Sequence, residues 1–195
     1  MTMKLPLKPF YFIRHGETEL NRQGIIIGSI DISLNAHGME QARHAALSLK
    51  DEKFDIIVSS PRKRALQTAE VISHAIPKSI ILENDLVERV WGEAEGQPFD
   101  STKSLFDDGN TPEGAELFTL FSQRIISTVS KHLLNEQSLP LFVSHGGVFK
   151  ALVHYLGYEK LSSSNGIPFL FSPPESGEAK WKIHNLKENK SRNLA

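Results

Sequence analysis

The chain has 195 residues, 39% hydrophobic and 23% charged, with a formal net charge of −1 and no cysteine. That length supports one hydrophobic core and is short for two. The charge balance excludes a general attraction to nucleic acid or an anionic membrane, and the missing cysteines exclude disulfides, thiol nucleophiles and thiolate metal sites.

Near the start, the apolar run Phe10–Ile13 stops at Arg14, too short for a secretory apolar segment of roughly 7–15 residues. No stretch approaches the roughly 18 apolar residues of a membrane span. The expectation is a soluble, cytoplasmic protein, one domain over 1–195, with a frayed polar tail at 187–195.

Taken in order, Phe10-Tyr11-Phe12-Ile13 reads as a short buried strand, since it is continuously apolar and aromatic. Asn35-Ala36-His37-Gly38 opens a helix whose apolar stripe is Ala42, Ala45, Ala46 and Leu49. Phe54–Val58 is a second strand, ended by Ser59-Ser60-Pro61, and Pro61 suits the first position of a helix running through Ala65, Ala69, Val71 and Ile72. Ile80–Leu82 is a third strand. From Asp85 to Thr111 glycines and prolines (Gly92, Gly96, Pro98, Gly109) mark a loop-rich region. A long helix is expected from Glu113 to Asn135, then a strand at Leu139–Val143, a helix at Gly147–Leu156, and strands at Ile167–Phe171 and Lys180–Ile183. Strands alternating with helices predict an α/β fold, a mostly parallel central sheet covered on both faces as an α/β/α sandwich. Ligands of such sheets gather at the carboxyl ends of the strands.

Three segments with reactive side chains fall at those ends. In Arg14-His15-Gly16-Glu17-Thr18 a guanidinium fork, an imidazole and a glycine allowing close approach suit a phosphate group. Asn21, six residues past His15, lies near enough to add an amide donor. In Ser59-Ser60-Pro61-Arg62-Lys63-Arg64 the start of a helix favours anions. Its basic residues cannot all point one way: one arginine is expected to face the pocket, with Arg62 and Lys63 solvated. Val143-Ser144-His145-Gly146-Gly147 repeats the order strand, histidine, glycine, helix. Each segment alone has a bland alternative, a chance tripeptide or a basic helix surface. Two histidines in matching positions of one sheet are harder to dismiss. An acid is needed to protonate a leaving alcohol, and charge alone does not separate Glu88 from Asp85, Glu93 and Glu95.

This collinear set resembles the histidine phosphatase superfamily, in its phosphoglycerate-mutase-like branch. The resemblance runs through Arg14-His15-Gly16-Glu17-Thr18, Asn21, Gly28 with Asp31 and Leu34, then Gly38, Gln41 and Ala42. It continues with Ser59-Ser60-Pro61, Arg64-Ala65, Gln67-Thr68-Ala69-Glu70, Leu86, Glu88, Gly92 and Gly96, and closes on Ser144-His145-Gly146-Gly147. It implies a phosphoglycerate-mutase-like fold and a phosphomonoesterase acting on a small phosphorylated metabolite. His15 would become a phosphohistidine and Glu88 would be the general acid, then the base for water. Arg14, Arg64, His145 and Asn21 would hold the phosphoryl oxygens, with the backbone N–H of Gly146 added. It implies no cofactor and no metal, because two arginines and a histidine stand where other enzymes place a metal ion.

Departures from the family pattern bear on activity. The cofactor-dependent mutases carry an insertion with paired arginines and a lysine, whereas 84–111 is short here, with Lys103 its only lysine. Glu88-Arg89-Val90-Trp91-Gly92 is similar to the mutase version, so a phosphoglycerate mutase or a sugar-bisphosphate phosphatase is the alternative. Ile27 stands where many members have a polar residue, and Pro112–Glu116 only approximates the usual Gly-Glu-Ser. Trp91 and Phe99 are candidates for an apolar pocket wall. Further rivals are a silent binding module and a metallohydrolase using His15, Glu17 and His145. The remaining histidines (His37, His44, His74, His132, His154, His184) fit no constellation.

Overall fold

A computed structural model describes residues 4–102, 111–176 and 180–187. Gly109, Lys103 and all of the expected frayed tail except Lys187 lie outside them. The elements are β1 (Phe10–Arg14), α1 (Glu19–Arg22), α2 (Ala36–Leu49), β2 (Ile56–Ser59), α3 (Lys63–Ala75), β3 (Ile80–Leu82), α4 (Phe118–Leu133), β4 (Pro140–Ser144), α5 (Gly146–Tyr155), β5 (Pro168–Ser172) and β6 (Lys182–Asn185). Short 3₁₀ turns at Asn84–Leu86 and Gly92–Ala94 lie between β3 and α4. No helix among the described residues is long and apolar enough to cross a membrane.

The strands form one sheet in the order β3-β2-β4-β1-β5-β6. β1, β2, β3 and β4 run parallel, and β5 is antiparallel to both of its neighbours. Alternation along β1 divides the interior in two. Phe10 and Phe12 join Phe142, Phe171 and the apolar faces of α4 and α5, whereas Tyr11 and Ile13 join Ile57, Leu141 and the faces of α2 and α3. Since successive side chains of a strand point to opposite faces, this is a three-layer α/β/α arrangement.

β2 starts at Ile56 rather than Phe54, α4 ends at Leu133 rather than Asn135, and β6 spans Lys182–Asn185 rather than Lys180–Ile183. Two helix starts also differ, for reasons that lie in distant partners. Pro61 is not the first residue of α3; the helix starts at Lys63, after Arg62 in extended backbone. Its first N–H is capped from outside, by Asp31 Oδ1 at 2.8 Å from Lys63 N. The long helix starts at Phe118 rather than Glu113. Residues before it are drawn off by a bridge between Trp91 and Ala115 and by Glu116 N donating to Val90 O. Gly114, at φ +70°, adopts a turn conformation that glycine takes at no steric cost.

The site lies where β1 and β4 end side by side. Arg14 pairs with Ser144 in the parallel register, so the next residues, His15 and His145, leave the sheet together. The chain then turns to opposite faces, toward α2 after β1 and into α5 after β4. That is the kind of crevice in which open α/β sheets bind ligands.

Candidate active site

His15 is 3% exposed, and its backbone N–H donates to Ser144 O at 2.9 Å. The ring Nδ1 lies 2.7 Å from Gly16 O. A carbonyl only accepts, so Nδ1 carries the proton and Nε2 keeps its lone pair. Arg64 Nε donates to that lone pair at 3.2 Å. Burial, then the charges of Arg64 and Arg14, hold the His15 pKa well below 6.5 against the opposing bond to Gly16. The imidazole is therefore neutral near pH 7, with Nε2 unprotonated.

The loop that carries His15 is made by close backbone approach. A Cβ on Gly16 would fall onto Gly38 O and lie 3.0 Å from Gly38 Cα. The start of α2 thus presses directly on the histidine loop, and Gly16 N is held by Thr68 Oγ1 at 3.1 Å.

Arg64 is fully buried on α3. Besides meeting His15, it donates from Nη1 to Ile30 O at 2.8 Å and from Nη2 to Gly28 O at 3.1 Å. Desolvation lowers its pKa to about 10, partly offset by the charges of Glu88, Asp31 and Glu95. It remains a cation near pH 7. Lys63 is exposed as expected, whereas Arg62, expected to be solvated, is half-buried, its Nε without a partner among the described residues.

Arg14 donates from Nη1 to Ser163 O at 3.0 Å, and its Nε is buried without a partner among the described residues. Its guanidinium lies against Gly146, where a Cβ would stand 3.3 Å from Cζ. Asn21 Oδ1 accepts from Thr18 N at 3.2 Å, and Thr18 Oγ1 accepts from Asn21 N at 3.1 Å. This reciprocal cap opens α1, a four-residue helix not foreseen in the sequence. With Oδ1 committed, the Nδ2 of Asn21 is the atom left to meet an anion.

His145 is wholly buried, its ring 5.3 Å from that of His15 and inclined at 65°. Nε2 meets Ser60 Oγ at 2.8 Å and Nδ1 has no partner among the described residues. Burial, then Arg64, pushes its pKa well below 6.5. Free of ligand, it is thus a neutral hydrogen-bonding group rather than a third cation.

Glu88, of the four acids that charge alone left equivalent, is the one at the cavity. Its Oε1 accepts from Arg89 N at 2.8 Å and its Oε2 from Gly147 N at 3.0 Å. Burial raises its pKa despite these bonds and the charges of Arg64 and Arg14. Asp85 and Glu93 do not line the cavity, and Glu95 is engaged with Gly28, Ser29 and Ile30. The loop bearing Glu88 is braced by Arg124, which donates to Asp85 O and Val87 O and pairs bidentately with Glu116.

These groups face a cavity of about 410 Å³ lined by Arg14, His15, Asn21, Glu88, Gly146 and Gly147 at one end. Ile25, Ile26, Ile27, Trp91 and Phe99 form the other, where bridges such as Ile25 to Pro98 and the bond from Ile26 N to Gln97 O assemble a two-stranded wall. Arg64 and His145 stand behind His15 and do not line the cavity. Glu17 is turned away, accepting from Asn35 Nδ2 at 2.8 Å. No group of three His, Asp or Glu side chains among the described residues is placed to hold a metal ion.

One lining residue was missed in the sequence. Asn165 donates from Nδ2 to His15 O at 2.9 Å, and the adjoining Gly166 N donates to Arg14 O at 3.0 Å. The Asn-Gly pair is a turn signal, but nothing local links it to a histidine 150 residues earlier.

Residues 10–169 match the histidine phosphatase superfamily (branch 1). The chain is 36% identical over 183 residues to the uncharacterized phosphatase PhoE of Bacillus subtilis (strain 168), covering 91% of this chain and 93% of that one. It is 30% identical over 156 residues to the 2,3-bisphosphoglycerate-dependent phosphoglycerate mutase of Thermoplasma acidophilum, covering 76% of each. Among solved structures, phosphoserine phosphatase from Entamoeba histolytica, in complex with 3-phosphoglyceric acid, superposes with a TM-score of 0.74 at 29% identity, covering 86% of this chain and 93% of that one.

Proposed function

We propose that this chain, which belongs to the histidine phosphatase superfamily, hydrolyses small phosphomonoesters through a phosphohistidine on His15. The observation that most supports this reading is the state of that imidazole. Its Nδ1–H is bound to Gly16 O, its Nε2 accepts from Arg64 Nε, and the buried carboxyl of Glu88 lines the same cavity.

In the first half-reaction Nε2 attacks phosphorus, the Nε2–P bond forms, and the bond from phosphorus to the alcohol oxygen breaks. Glu88, kept protonated more readily by burial, gives its proton to the departing oxygen. In the second half, Glu88 as carboxylate takes a proton from water, the water oxygen attacks phosphorus, and Nε2 leaves with its lone pair restored. Arg14, Asn21 and the N–H of Gly146 at the start of α5, which line the cavity, hold the phosphoryl oxygens. Arg64 and His145, which border His15 without lining the free cavity, join them once the phosphoryl group sits on Nε2. Positioning and charge neutralisation supply most of the catalysis such a transfer needs. Two half-reactions through an adduct predict ping-pong kinetics.

Hydrolysis is favoured over mutase action by the far end of the cavity. Arg14 is the one cation among the described residues that line it, and the wall beyond is isoleucine, tryptophan and phenylalanine. A second phosphate or a carboxylate would find no ion pair there. Arg89, of the mutase-like stretch, is buried, donating to Glu116 O at 2.7 Å with its guanidinium over Trp91. Stimulation by 2,3-bisphosphoglycerate would instead mark a mutase. The phosphoryl cradle is built from arginine, histidine, asparagine and backbone, so turnover should be indifferent to a chelator; its loss would favour a metallohydrolase. We read 1–195 as one domain and its partner as a small phosphorylated metabolite in the cytoplasm.

The direct test is turnover of para-nitrophenyl phosphate by His15→Ala. Loss of all measurable rate is expected. Appreciable residual turnover would refute the assignment of His15 as nucleophile.

A further inference from the structure

Arg64 owes its orientation to a turn that the acid Glu95 holds from the other side. The backbone of Gly28–Ile30 presents carbonyls in one direction, where Gly28 O and Ile30 O accept from Arg64 Nη2 and Nη1. It presents donors in the other. Gly28 N, Ser29 Oγ and Ile30 N all reach Glu95 Oε1, at 3.2, 2.8 and 2.6 Å. One carboxylate oxygen thus gathers three donors from the turn that grips the guanidinium.

Glu95 is itself fixed. Its N–H donates to Gly92 O at 3.0 Å, and the next residue, Gly96, donates to Ile26 O at 2.9 Å. The turn is closely packed, because a Cβ on Gly28 would stand 2.6 Å from Arg89 O, 2.8 Å from Trp91 Cδ1 and 3.2 Å from Glu95 Oε2. Charge-assisted bonds to peptide N–H groups are roughly twice as strong as neutral ones, and peptides polarised in this way make stronger carbonyl acceptors. Glu95 does not line the cavity, and its Oε1 is engaged by three donors of the turn, so any effect it has on the site passes through that turn.

We infer that Glu95 is a positioning residue, acting through the Gly28–Ile30 turn to set the plane of the Arg64 guanidinium beside His15 Nε2. The inference rests on the phosphatase reading only in taking Arg64 as a holder of the phosphoryl group.

The test is a double-mutant cycle on turnover of para-nitrophenyl phosphate. Misplacing a transition-state donor without removing it is expected to lower kcat about 10-fold in Glu95→Ala, with KM changing less than about 3-fold. Glu95→Gln keeps an acceptor for the turn and should stay within about 3-fold of the parent. In an Arg64→Ala background, already slowed about 100-fold or more, adding Glu95→Ala should change kcat less than about 2-fold. Multiplicative losses, or a normal rate in Glu95→Ala beside a crippled Arg64→Ala, would overturn the positioning role while leaving the site reading intact. A normal rate in Arg64→Ala would overturn both.

Discussion

Gly147 donates its backbone N–H to Glu88 Oε2 at 3.0 Å, so the first turn of α5 sets the place of the carboxyl. The contact leaves no room for a side chain. A Cβ on Gly147 would fall onto Glu88 Oε1 and stand 3.1 Å from its Cδ. Gly147→Ala should therefore displace the acid while leaving the helix intact, since alanine is the better helix former. The expected outcome is a fall of about 10- to 100-fold in kcat for an unactivated alkyl phosphate, with a smaller fall for para-nitrophenyl phosphate. The ratio of the two rates in parent and variant is the measurement, and an unchanged ratio would count against the role of Glu88.

Glu88→Gln addresses the same step by chemistry. It keeps the shape and an acceptor but has no proton to give, so esters with poor leaving groups should lose about 100-fold or more and activated ones less. The parent rate on alkyl esters should fall as pH rises through the Glu88 pKa, which burial lifts above 4.5. In the glutamine variant that decline should disappear. Equal losses on both ester classes would argue that Glu88 is not the acid.

Stability should fall on acidification through the two buried histidines. Both have folded pKa values well below 6.5, so below that value the unfolded chain binds more protons than the folded one. Stability then rises with pH, and is lost as pH falls from about 6.5 toward the folded values, by up to about 1.4 kcal/mol per pH unit for each histidine. Glu88 has the opposite sign, its raised pKa favouring the folded state at low pH and losing that contribution as pH rises. Denaturant unfolding of the parent and His15→Gln between pH 7 and 5 checks this. The variant should show the shallower slope.

The extent to which this architecture was legible follows from the range of the interactions involved. The continuous apolar run Phe10–Ile13 announced a strand because burial on both faces of the sheet demands it. Ile80–Leu82 announced one by its apolar composition alone, since β3 lies at the sheet edge with Ile81 and Leu82 exposed. Arg14, His15 and His145 were legible because Arg14 ends a strand and the two histidines directly follow one, where such sheets bind ligands. Boundaries set by distant partners were not. The start of α3 depends on Asp31, and the start of α4 on the bridge from Trp91 to Ala115. The place of Asn165 beside His15 is likewise a tertiary fact. Charge alone did not separate Glu88 from Glu95, although the family resemblance did. Their different placement, one at the cavity beside the N–H of Gly147 and the other on the turn at Gly28, is tertiary too.

The account turns on a covalent bond between phosphorus and His15, and the most direct measurement is to trap it. The enzyme is mixed with a labelled phosphomonoester, quenched in alkali within a turnover, and the phosphorylated residue is located by mass spectrometry. The account predicts acid-labile, alkali-stable phosphate on His15, absent from His15→Ala. Turnover with no such adduct, or with phosphate on another residue, would contradict it.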